Sequence, residues 1–149
     1  MNRTANAINN RLSLRPPQSK SLEILSILAD KLTLKKNSDL NADLAKVNEL
    51  YPTCTDFERS FPSIAFGIAT GVGKTRLMGA FITYLFLEKG IKNFFVMSPN
   101  LTIYNKLYED FTNPNHPKYV FKGIGEFAQK APLVITGDNY GSQPDIDFY

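Results

Sequence analysis

Tryptophan is missing from this sequence, and it holds a single cysteine and a single histidine. Cys54 has no partner for an internal disulfide, and no Cys/His cluster offers metal-ligand spacing. A disulfide scaffold and a zinc module are therefore both excluded, and a reducing, cytoplasmic setting is expected. No run approaches the roughly 18 apolar residues of a membrane span, and the polar start (Asn2, Arg3, Thr4, Asn6, Asn9, Asn10) lacks the apolar centre of a signal peptide. Neither export nor a membrane partner is expected. What is present is ordinary: 149 residues, 43% apolar and 21% charged, the composition of one globular domain with a proper core. Eleven Phe and seven Tyr supply the bulk, mostly after Phe57, which places the densest part of the expected core in the second half.

The net charge of +3 is small but unevenly spread. Residues 1–36 hold seven basic and two acidic groups, residues 37–60 hold two and five, and residues 61–149 hold eight and seven. The basic excess lies at the N-terminus, where it serves either as a solvated lead or as a contact for phosphates.

Along the chain, Pro16-Pro17 suits an entry turn, and Leu22, Leu25, Leu28, Ala29 and Leu32 recur at helical spacing within Gln18–Leu34. Lys35, Lys36 and Asn37 suit the end of that helix. A short acidic helix follows from about Asn41 to Leu50, and the proline-containing stretch Tyr51–Pro62 reads as a loop. Ser63–Ile68 is a short apolar run of the kind buried in a parallel sheet, Arg76–Lys89 is a helix capped by Gly90, Asn93–Ser98 repeats the strand pattern, and Leu101–Phe111 repeats the helix pattern. After a loop over Thr112–Pro117, Lys118–Lys122 alternates like an edge strand, and Leu133–Thr136 resembles a third core strand. Strand and helix alternating at this spacing predict an α/β fold: a three-layer parallel sheet with helices on both faces, organised as a helical lead over 1–60 and a nucleotide-binding lobe over 61–149. Three central strands fall short of the usual number, so the lobe reads as incomplete.

Between the first strand and its helix stands Thr70-Gly71-Val72-Gly73-Lys74-Thr75. The strict phosphate-loop pattern G-x-x-x-x-G-K-[ST] fails at its first glycine, which is Ile68 here, while the tighter form T-G-x-G-K-T is met in full. Five fixed positions of that kind arise by chance in a chain this long on the order of once in 10⁴. Glycines let consecutive N–H groups point into one concavity, and the helix N-terminus adds its partial positive charge. The plain alternative is a glycine-rich turn without a ligand. Lys74 is the point charge for the β- and γ-phosphates of a bound nucleotide, and the Thr75 hydroxyl is the ligand for Mg²⁺.

With these residues in place, Ala69–Thr75 resembles the first motif of superfamily 2 helicases and translocases, whose loops lack the leading glycine. Phe95–Ile103 resembles their next motif, in which a strand ends in a proline-containing turn that touches the nucleic-acid backbone. Leu14-Arg15-Pro16-Pro17-Gln18 resembles their Arg-Pro-x-Gln lead, whose glutamine pairs with adenine. Within that superfamily, Ser98–Ile103, Lys106–Phe111, His116–Lys122 and Ile135–Asp138 look most like the restriction subunit of type III restriction enzymes, and the likeness runs from about Leu14 onward.

The resemblance implies an ATP- and Mg²⁺-dependent motor acting on double-stranded DNA, with a DNA methyltransferase (modification) subunit as partner. It assigns Gln18 and Thr70–Thr75 to the nucleotide, and Ser98, Pro99, Asn100 and Thr102 to DNA phosphates. Ser98 and Thr102 also suit a plain role as caps of the following helix.

Departures from the pattern carry equal weight. No D-E-x-H or D-E-x-D occurs, so the acids that hold Mg²⁺ and orient water are missing. Asp138, Asp145 and Asp147 qualify by composition alone, and neither a second lobe with its arginine finger nor a nuclease domain is present. The chain is thus expected to be the ATP-binding N-terminal part of a helicase-type motor, binding ATP and scarcely hydrolysing it. A non-catalytic nucleotide-binding module, or gene fragment, acting as an interaction domain is the alternative, and a small P-loop kinase fits less well. His116 reads as a solvated loop residue, Cys54 as chemically idle, and Tyr104 with Tyr108 as helix packing.

Overall fold

A computed structural model describes residues 1–128 and 131–142. The described elements are helical: α1 (Arg3–Arg11), α2 (Pro16–Lys31), α3 (Leu40–Leu50), α4 (Lys74–Lys89), α5 (Leu101–Thr112) and the single turn α6 (Gly125–Ala128), with a 3₁₀ turn at Tyr140–Ser142. Helices α2 to α5 lie where the periodicity predicts them.

The lead before Pro16, read as merely polar, is helical as well. Asn2 caps α1 by accepting from the Ala5 N–H at 2.9 Å, and Ala5, Ile8 and Leu12 form a buried stripe. Three asparagines, Asn6, Asn9 and Asn10, dilute the hydrophobic pattern of this helix, and asparagine is a weak helix former. The stripe survives because only one residue per turn has to be apolar.

Two cross-links set the direction of α2 against α4. At their N-terminal ends Gln18 Nε2 donates to the Gly73 carbonyl at 2.8 Å, and at their C-terminal ends Lys89 pairs with Asp30. The two helices therefore run parallel. Helix α1 runs the other way: Asn2 Nδ2 donates to the Tyr84 hydroxyl at 2.8 Å, and Arg76 Nη1 donates to the Leu12 carbonyl at 3.0 Å. Buried hydroxyls on the facing surfaces bond within their own helices, Ser21 to Pro17 O, Ser26 to Glu23 O and Thr83 to Gly79 O. The helices can thus approach without stranding these hydroxyls.

The main core joins α1, α2 and α4 to Phe111 and the turn run Tyr119–Phe127. Its bulk comes chiefly from the second half of the chain, as expected, through Tyr84, Phe111, Tyr119, Phe121 and Phe127, while the small and aliphatic Ala5, Ile8, Leu12, Leu22 and Ala29 of the lead line one side of it. A smaller cluster, Leu28, Leu32, Val47 and Phe57, holds α3 against α2.

The parallel sheet expected from the sequence is not found: among the described residues there are no strands. Ser63–Ile68, Asn93–Ser98 and Leu133–Thr136 lie outside any element and form no ladder with one another. The α/β, three-layer assignment is corrected accordingly. A strand is defined by hydrogen bonds to a neighbour, and an apolar run signals only a tendency to be buried. Here that tendency goes unmet, with Phe95 at 89% and Met97 at 78% exposure.

The edge strand expected over Lys118–Lys122 is a series of turns, with Tyr119 N–H bonded to His116 O and Ile124 N–H to Phe121 O. It buries Tyr119, Val120 and Phe121 in succession, which alternation would forbid. Phe121 makes ring contacts with Phe111, Tyr119 and Phe127 at centroid separations of 5.5, 5.7 and 4.7 Å. Val120 reaches the middle of α4, where Gly79 leaves room for it. A Cβ on Gly79 would stand 2.7 Å from Val120 Cβ and 2.8 Å from its carbonyl oxygen.

The α2–α3 connection turns on Asp43, 1% exposed. Its carboxylate accepts from Thr33 N–H at 3.1 Å and from Lys46 Nζ at 3.1 Å. Burial works to raise the pKa of this group, but the Lys46 ammonium and the Thr33 N–H outweigh burial and hold it below its ordinary value.

Two outcomes follow for stability. Gly79→Ala should lower the free energy of unfolding in urea by about 1–3 kcal/mol, because the clash falls on backbone as well as side chain. A carboxyl with a depressed folded pKa contributes stability above its unfolded pKa and loses it as the pH falls through the folded value. Wild type should therefore melt above Asp43→Asn at neutral pH, with the gap closing below about pH 4; a gap independent of pH would contradict the assignment.

Candidate functional site

The segment between Ser63 and α4 ends in a turn in which Val72 N–H meets the Ala69 carbonyl at 3.5 Å. Gly71 and Gly73 both have left-handed backbones, with φ of 79° and 96°. Gly73 is the N-cap of α4, and its carbonyl accepts the Leu77 N–H at 3.1 Å. With no capping side chain at this end, the first-turn N–H groups of a 16-residue helix are left for an external acceptor.

Thr70, Gly71, Gly73 and Lys74 are exposed, and Val72 and Thr75 are partly so. Lys74 folds back to place Nζ 3.4 Å from the Ala69 carbonyl. An anion arriving here would meet one ammonium and a helix N-terminus, with no carboxylate among the residues bonded to the loop.

Three side chains tie this loop to the helices beneath it. Arg15 Nη1 donates to the Gly71 carbonyl at 3.2 Å, Gln18 Nε2 donates to the Gly73 carbonyl, and Arg76, two residues beyond Lys74, reaches the Leu12 carbonyl. Gln18 is 2% exposed, and its other polar atom, Oε1, accepts from the Arg15 N–H at 2.8 Å, closing the first turn of α2. Both ends of the carboxamide are thus bonded to backbone. Sequence reasoning placed Gln18 at the nucleotide but assigned Arg15 and Arg76 no part. A basic residue three positions before Gln18 was the available signal for Arg15, whereas the contact made by Arg76 depends on the packing of α1.

The other expected residues make none of the hydrogen bonds described for the loop. Ser98, Pro99, Asn100 and Thr102 lie together at the start of α5. The cap there is Asn100, whose Oδ1 accepts from the Ile103 N–H at 3.0 Å, and not Ser98 or Thr102. Ser98 Oγ donates to the Asn100 carbonyl at 3.2 Å, and Thr102 is exposed on the first turn.

Asp138 is exposed in a turn, and Asp145 and Asp147 lie outside the described residues. Among the described residues no group of three acidic, His or Cys side chains converges as a metal site. Cys54 is exposed and free, and Tyr104 stacks on Tyr108 along α5.

His116, expected to be solvated, is half-buried, with Nδ1 3.1 Å from Asp110 Oδ1. The two atoms approach without the alignment of a hydrogen bond. An apolar groove lined by Phe94, Val96, Tyr104, Leu107, Leu133 and Ile135 shares no lining residue with the phosphate loop and has no acid or histidine on its walls. The candidate site is placed by its chemistry, at the loop and not in this groove.

An exposed left-handed glycine turn at the start of a long helix, followed by lysine and threonine, has the residue types of a phosphate-binding loop, without the preceding strand that such loops ordinarily follow. The profile of one family, described as type III restriction enzyme, res subunit, matches residues 11–143, and the chain belongs to that family. It is 41% identical over 58 residues to a protein of Haemophilus influenzae described as a probable type III restriction-modification enzyme HindVIP Res subunit. That match takes in 39% of this chain and 11% of the relative's length. No solved structure matches. Among the described residues no helix is long and apolar enough to cross a membrane.

The two loop glycines provide a check on the geometry. Both carry the strain of a positive φ when substituted, but only at Gly73 would a Cβ also meet a neighbour, Gln18 Nε2 at 2.7 Å. Gly73→Ala should therefore cost about 1–3 kcal/mol and more than Gly71→Ala, as read from paired thermal melts; equal costs would mean that Gln18 does not press on the loop.

Proposed function

We propose that this chain is the ATP-binding part of a helicase-type, DNA-dependent motor of a type III restriction enzyme. The observation that carries the reading is the Thr70–Thr75 turn at the uncapped start of α4, with two left-handed glycines. That arrangement fits a triphosphate: the glycines present N–H groups without side chains over them, and Lys74 is exposed and bonded only weakly to Ala69.

Thr70–Lys74 would hold the phosphate oxygens, and Thr75 would offer its hydroxyl to the accompanying Mg²⁺. ATP supplies a transferable phosphoryl group when bound; the chain's own residues bind and orient it. Lys74 would exchange a carbonyl contact for phosphate oxygens, a stronger, charge-assisted pairing. Since the sequence contains no D-E-x-H or D-E-x-D, these 149 residues bind ATP and scarcely hydrolyse it.

Double-stranded DNA is the substrate of the motor in this reading, with Ser98, Pro99, Asn100 and Thr102 at its phosphates, and a modification methyltransferase is the partner. The missing acidic motif equally favours a second reading, a nucleotide-binding module without turnover. ATPase assays with and without duplex DNA separate the two when this chain is compared with one carrying the acidic motif in addition. Activity confined to the longer chain supports the motor.

Lys74→Ala should weaken binding of a fluorescent ATP analogue by at least about tenfold, with the melting temperature of the ligand-free chain unchanged. An unaltered affinity would remove Lys74, and with it the loop, from nucleotide binding.

A further inference from the structure

Gln18 is the one residue of the expected nucleotide site that is fully buried, and its surroundings fit poorly with reading a base. Pairing with adenine requires the carboxamide oxygen to accept from N6 and the nitrogen to donate to N7 along one open edge. Here Oε1 accepts from the Arg15 N–H and Nε2 donates to the Gly73 carbonyl, with 2% of the residue exposed.

The Gly73 carbonyl is the hinge of the phosphate loop. It receives two hydrogen bonds, one from Leu77 N–H inside α4 and one from Gln18, so the peptide that begins α4 is held from within the helix and from α2. Arg15 holds the Gly71 carbonyl from the same end of α2. With both carbonyls bound on the α2 side, the peptide units of this turn have fixed orientations, and the opposite side of the turn is left for an anion.

We propose that Gln18 is a positioning residue for the phosphate loop, acting through the Gly73 carbonyl, and that it sets triphosphate affinity without selecting the base. Arg15 assists at Gly71. The proposal rests on the reading of Thr70–Thr75 as a triphosphate site, and it assigns the upstream glutamine to the phosphates' cradle and not to adenine. Discrimination between purines then has to come from other residues.

The test uses the full 149-residue chain, fluorescent ATP and GTP analogues, and amide hydrogen exchange of the ligand-free protein. Gln18→Glu keeps an oxygen to accept from the Arg15 N–H and removes the donor to Gly73; Gln18→Met removes both. In both variants, exchange at residues 71–75 should accelerate by about three- to tenfold. Protection of the first turn of α2 should be retained in Gln18→Glu and lost in Gln18→Met, which separates the cap from the loop.

The affinities for the two analogues should fall by the same factor in each variant. Unchanged exchange at 71–75 overturns the proposal, as does a loss for ATP that exceeds the loss for GTP by more than about fivefold. Should the wild-type chain bind neither analogue, the triphosphate reading fails by itself, while the exchange rates of the ligand-free variants still decide whether Gln18 holds the loop. Thermal melts of both variants establish that they are folded, and the exchange pattern of Gln18→Glu decides if Gln18→Met is not.

Discussion

The structure depends on α4 being gripped along its length by helices from the N-terminal lead. Parallel α2 is fastened to it at both ends, by Gln18 at Gly73 and by Asp30 at Lys89, and antiparallel α1 is fastened at Leu12 and Asn2. The ends matter less for energy than for alignment, since an exposed ion pair such as Lys89–Asp30 contributes little by itself. Stability comes from what lies between them, Leu22, Ala29, Ala80 and Tyr84 against one another and against the Phe121 cluster. The polar ties choose which residues of α2 and α4 stand opposite each other, and so where the phosphate loop comes to rest.

Helices α2 to α5 were legible because each shows an apolar stripe, a turn at its start and a recognisable stop such as Gly90. Helix α1 was hidden by its asparagines. The turn run at Lys118–Lys122 was misread because three consecutive buried residues, Tyr119, Val120 and Phe121, mimic a short strand when only local pattern is visible. The larger misreading was the sheet. Ser63–Ile68, Asn93–Ser98 and Leu133–Thr136 have strand composition, but pairing is a relation between segments, and composition says nothing of whether the relation is realised.

The site was legible to a different degree at each of its layers. The glycines and Lys74 are visible in six consecutive letters, because phosphate binding by backbone is written locally. What lies beneath them is not. That the Gln18 amide ends on the Gly73 carbonyl, 55 positions away in the chain, follows from the registry of α2 on α4. His116 likewise became half-buried beside Asp110 only because the turn after α5 folds back on that helix.

The exposed apolar segments govern how such a chain behaves in a test tube. Phe94, Phe95, Val96 and Met97 present a contiguous oily strip to solvent, flanked by backbone groups that no ladder occupies. Surfaces of this kind attract one another. The strip at 94–97 is therefore expected to promote self-association at the concentrations used for spectroscopy, and dilution or mild detergent should keep the protein as single molecules more effectively than conditions that tighten the α1–α2–α4 core.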